Sequence, residues 1–75
     1  MKTGDRFFLS ANGGKNWVSA YVGKPVGVRI MVGIVHGRRN TEWMLSATAD
    51  EMAQYEAGQE AKATWGNMSV LIKKA

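Results

Sequence analysis

The sequence predicts an α+β fold: a small, strongly bent five-stranded antiparallel sheet or partly open barrel, with one helix before the last strand. Two observations predict it. Through residues 6–47 apolar and polar side chains alternate with a period of two, and clusters of Gly, Asn and Pro separate the runs. The period then changes, because Ala49, Ala53, Ala57 and Ala61 recur every four residues behind a threonine that precedes a glutamate by three positions.

Each element follows from local chemistry. Arg6 to Ser10 reads as the first strand and runs into Asn12-Gly13-Gly14, residue types that tolerate the positive φ of tight turns. Asn16 to Val22 is the second strand. Gly23-Lys24-Pro25 breaks it, since proline fixes φ and donates no backbone hydrogen bond. Val26 to His36 is the longest strand, rich in β-branched residues, with Gly33 as a bulge or bend inside it. After Gly37-Arg38-Arg39-Asn40 the chain turns back through Thr41 to Ala47. Thr48-Ala49-Asp50-Glu51 forms a capping box, and two early acids suit the positive end of a helix dipole. Gly58 weakens that helix, which stops near Ala57 or frays onward towards Ala63; its alanine face suits close packing on a sheet. Trp65-Gly66-Asn67 turns into a final strand, Met68 to Lys73, whose end at Lys73 and Lys74 reads as frayed and solvated.

Length and composition narrow the class. With 75 residues the chain makes a single domain, 1–75, whose core is thin, and with no cysteine and one histidine it has neither a disulfide framework nor a ready metal site. No cofactor is implied. The apolar runs are too short and too interrupted for a signal peptide or a membrane span, so the expectation is a cytoplasmic protein with no membrane partner. Charge is divided along the chain. Residues 1–41 carry Lys2, Arg6, Lys15, Lys24, Arg29, Arg38 and Arg39 against Asp5 alone, whereas residues 42–64 carry Glu42, Asp50, Glu51, Glu56 and Glu60 against Lys62. Such a split gives a folded domain a preferred side for polyanions.

Strand alternation assigns faces to these charges. Val18, Ala20 and Val22, then Val26, Val28, Ile30, Val32 and Ile34, then Trp43, Leu45 and Ala47 share the core side. The first strand is ambiguous; if Phe7 and Leu9 go inward, the outer face gathers Arg6, Phe8, Trp17, Tyr21, Arg29, Met31 and Met44. Rings beside arginines on an open sheet face suit single-stranded nucleic acid, because bases stack on rings while cations meet phosphates. Ordinary packing also accounts for such rings, either in a second small core or beneath the helix.

The sequence therefore reads as a small, basic, non-catalytic nucleic-acid-binding module that prefers single strands. Phe8, Trp17 and Tyr21 are its stacking groups; Arg6, Lys24, Arg29, Arg38 and Arg39 are its phosphate contacts, the last two in a charged hairpin tip that equally serves solubility. His36 near those arginines is too little to build catalysis on, so no enzyme is expected. An alternative of another class is a protein-binding module or inhibitor, such as an accessory protein of a mobile element, docking through Met31, Met44 and an aromatic. Self-association into a homo-oligomer through an exposed strand edge is compatible with both.

Overall fold

The computed structural model describes the backbone of residues 2–26, 29–36 and 39–75, and the side chains of residues 2–24, 30–33 and 44–75. Six strands, β1 (Arg6–Ser10), β2 (Val18–Val26), β3 (Arg29–His36), β4 (Arg39–Ser46), β5 (Ala61–Trp65) and β6 (Met68–Lys74), pair in chain order, with helix α1 (Ala49–Glu56) between β4 and β5. Because β1 also pairs with β6, the antiparallel sheet closes into a barrel. Closure removes the edges that a five-stranded or partly open sheet would leave.

The sixth strand is β5, which falls in the stretch assigned to a fraying helix. The helix takes the other expected end, near Ala57, at a defined stop. Gly58 takes φ 84°, its amide donates to the Tyr55 carbonyl at 3.0 Å, and the Gln59 amide donates to the Gln54 carbonyl at 3.0 Å. These two bonds make a Schellman motif, in which glycine supplies the left-handed residue that ends the helix. Beyond it Ala61, Ala63 and Trp65 turn towards the core and Lys62 and Thr64 away, a period of two. Gly66-Asn67 then links β5 to β6 as a two-residue hairpin, with φ 58° at Gly66.

The helix start matches the sequence. The Glu51 amide donates to Thr48 Oγ1 at 3.2 Å, and the Thr48 amide donates to Glu51 Oε1 at 2.8 Å, completing the capping box. Its packing face does not match. Ala49, Ala53 and Ala57 are exposed, while Tyr55 is buried and Met52 half-buried against the core. A tyrosine ring reaches further into a barrel end than a methyl stripe, and Tyr55 meets Phe7 edge-on with centroids 6.3 Å apart. The helix packs against β5 and β6, where Ala61 and Ala63 make room for it.

Strand limits shift where bulges replace breaks. Val22 pairs with Val32 and Pro25 with Ile30, so Gly23 and Lys24 together oppose Met31 and β2 continues through them to Val26. A Cβ on Gly23 would lie 3.0 Å from the Met31 carbonyl oxygen, which explains glycine at the bulge. Val26 thus belongs to β2, and Val28 lies outside the described residues. The connection after β1 is longer than a tight hairpin, since β2 begins at Val18 and not at Asn16. Ser10 Oγ accepts from the Gly14 amide at 2.8 Å and donates to Asn12 Oδ1 at 2.9 Å, while Gly13 and Gly14 take φ 74° and 92°. This folds residues 11–17 back over Ser10, which is buried although its register points outward.

The described core side is as the alternation predicted. Phe7, Leu9, Ala20, Val22, Ile30, Val32, Leu45 and Ala47 are buried inside the barrel, Val18 is half-buried against them, and Val70 and Ile72 of β6, to which no face was assigned, complete the wall. Val26, Ile34 and Trp43 carry side chains outside the described set.

Candidate nucleic-acid interface

The outer wall of β1, β2 and β6 holds most of the expected site residues whose side chains are described. Cross-strand pairing sets them in rows. Arg6 lies opposite Tyr21, which lies opposite Gly33, and one step along the same face Phe8 lies between Ser19 on β2 and Lys73 on β6. Side chains two residues apart on a strand share a face at about 6.6–6.8 Å, so the two rows are neighbours.

Tyr21 has an unusual bed. The position that a Cβ would take on Gly33 falls against Cζ of Tyr21 and lies 2.5 Å from its hydroxyl oxygen and 2.6 Å from Cε1. Near-equal spacing to the two atoms flanking Cζ is the pattern of a point above the ring face. The ring therefore lies flat across the glycine backbone, covering the one position in β3 that has no side chain, and turns its other face outward. Tyr21 is half-buried for this reason, and Arg6 beside it is exposed. Gly33, expected to mark a bulge or bend, keeps its regular pairing with Tyr21 and Glu42 and serves as a seat for a ring.

Trp17 sits just ahead of β2, brought over the wall by the folded 11–17 loop. Its Cζ2 would lie 3.6 Å from a Cβ on Gly14, which places the indole edge against that loop. The ammonium of Lys73 stands 4.1 Å from the Trp17 ring centroid and 6.0 Å from that of Phe8. Distances of 6 Å or less put both rings within cation–π reach. Lys73 is thus held in a paired strand and half-buried between rings, which corrects its assignment to a frayed, solvated end.

Lys24 is exposed in the bulge of β2, away from this cluster. Arg29 opens β3, paired with Val26 and Ser46, and Arg39 opens β4, paired with His36; their side chains lie outside the described set, and Arg38 lies outside the described residues. Sequence reasoning missed Lys73, although its alternation with Val70 and Ile72 signals an outward position. It also missed Lys62, outward on β5 opposite Leu71.

The helix leaves these rings uncovered. It packs on β5 and β6 with Tyr55 in the core, so the acids Asp50 and Glu51 and Glu56 gather at one barrel end and not over the aromatic wall. At that end a shallow cavity of about 200 Å³ is lined by Asp5, Arg6, Tyr55, Glu56, Lys74 and Ala75. Lys74 Nζ lies 3.3 Å from Glu56 Oε2 and donates to the Glu56 carbonyl at 3.1 Å. Burial first, then the negative charges of Glu56 and Asp5, push the Tyr55 hydroxyl up to about 12 from 10.0. A cavity of mixed sign has no preference for a polyanion, so the outer wall is the better candidate. No helix among the described residues is long and apolar enough to cross a membrane. Comparison of the chain with protein-family models, curated proteins and solved structures finds no match.

Proposed function

We propose that this protein is a non-catalytic nucleic-acid-binding module that prefers single strands and binds on the outer wall of β1, β2 and β6. The supporting observation is the face-down seating of Tyr21 on Gly33, which leaves one ring face outward beside the exposed Arg6. A base stacks on any accessible π-face, and a cation beside that face neutralises the accompanying phosphate. Phe8, Trp17 and Lys73 extend the same surface. Lys24, Arg29, Arg38 and Arg39 add positive charge to the chain that carries it.

The test is equilibrium binding of a labelled oligothymidylate against salt. Neutralising about four phosphates gives a slope of about −3 in log affinity against log salt for a single strand. Affinity that does not change between low and moderate salt would falsify the proposal.

A second reading, a protein-binding module, is favoured by one feature of its own. Met31 and Met44 pair directly on the outer face, both half-buried, giving a soft apolar patch beyond the ring rows. Affinity capture after nuclease treatment separates the two: recovery of one stoichiometric protein supports docking, and loss of every partner supports nucleic acid.

A further inference from the structure

Resting on that nucleic-acid reading, we propose that the outer wall is a two-base track in which Lys73 occupies the second seat until a strand arrives, then exchanges its ring contact for a phosphate. The first seat is Tyr21, flat on Gly33 with Arg6 opposite. The second is formed by Phe8 and Trp17, one step along the same face, where the Lys73 ammonium already lies 4.1 Å from the indole centroid. The seats are offset by about 6.6–6.8 Å along the strands, the two-residue repeat, and by about two strand spacings, roughly 9–10 Å, across them, since Tyr21 lies over β3 and Phe8 stands on β1.

A cation over a ring and a base over the same ring compete for one face. The incoming strand resolves the competition, because each base brings a phosphate, and the displaced ammonium on its flexible four-carbon stem has an anion to meet. The track also has limits at both ends. Beyond Phe8 the next outward position is Ser10, buried beneath the 11–17 loop, and beyond Tyr21 the register is broken by the bulge at Gly23-Lys24. Two seats are what remain between these stops.

The experiment measures affinity and stoichiometry of the intact protein for thymidylate oligomers of two, three, four and eight nucleotides, with a duplex as control, for wild type and Lys73→Gln. The track predicts that three nucleotides bind within about threefold of the per-site affinity of eight, that the eight-mer takes more than one protein, and that the duplex binds more weakly. The exchange predicts that Lys73→Gln makes the salt slope shallower by about 0.7, one phosphate contact on a single strand. A lysine that only packs on Trp17 would leave that slope unmoved. If eight nucleotides bind one protein and affinity keeps rising with length, the two-base track is wrong while single-strand binding stands. An unchanged slope in Lys73→Gln overturns the exchange. Absence of binding to every oligomer overturns this inference together with the reading beneath it.

Discussion

Gly33 and Tyr21 show how one missing side chain determines where another lies. A Cβ on Gly33 would meet the Tyr21 ring face at a separation no packed pair adopts, so Gly33→Ala forces the ring off its bed. We expect a loss of about 1–3 kcal/mol in urea denaturation for Gly33→Ala alone. In a Tyr21→Ala background the same substitution should be neutral or stabilising, because glycine in a strand is otherwise unfavourable by about 0.5–1 kcal/mol. Equal losses in both backgrounds would contradict the face-on geometry. Tyr55 gives a second prediction at this scale. Its hydroxyl is pushed up to about 12 in the fold from 10.0, so its contribution to stability is complete below pH 10 and is lost as pH rises through 12. Between those values the wild type should lose on the order of 2 kcal/mol relative to Tyr55→Phe, which lacks the group. Parallel stability curves for the two proteins across that window would contradict it. The alternation of Ala20 with Tyr21 and of Ile30 with Met31 made the inner and outer faces legible in the sequence, whereas Phe7-Phe8-Leu9, apolar at every position, left the first strand open. Glycine as a ring seat was not legible, because it depends on which strand lies opposite.

Among the elements, α1 was readable at its start, and of the two ends the sequence offered it takes the nearer, at Ala57; the extension towards Ala63 is the misreading. Thr48 and Glu51 form the capping box, and Thr48→Ala should lower stability by about 1 kcal/mol in chemical denaturation. A change under a few tenths would show that the cap is not used. The misreading came from Ala61, which continues the four-residue alanine spacing although it lies in β5. Gly58 breaks that continuity by its left-handed φ, and a glycine at such a place is a stop and not merely a weak point. Pro25 misled in the opposite sense: it reads as a break, yet the bulge at Gly23-Lys24 lets β2 carry it. In both cases a local propensity was right and the long-range pairing decided how it was used.

At the scale of the whole molecule the charge split acquires a geometry. In a barrel whose antiparallel strands pair in chain order, strand starts and finishes alternate between its two ends, so the segment before β1, the finish of β6 and α1 share one end. The helix acids therefore sit at the end where β1 begins with Arg6, β5 begins beside Lys62 and β6 finishes after Lys73, and Arg6 lines the cavity there with Asp5 and Glu56. Charges held apart in the sequence thus meet at one end of the fold, where Lys74 also pairs with Glu56. Closure also explains why the rings stay accessible, since Tyr55 draws the helix into the barrel end instead of over Trp17 and Tyr21. The most direct test of the central claim compares wild type with Trp17→Ala/Tyr21→Ala, its folding checked by circular dichroism, for binding to a short oligothymidylate. Losing two stacked bases should weaken affinity by about 30-fold or more, at about 1–3 kcal/mol per base. A folded double variant that binds as tightly as wild type would contradict it.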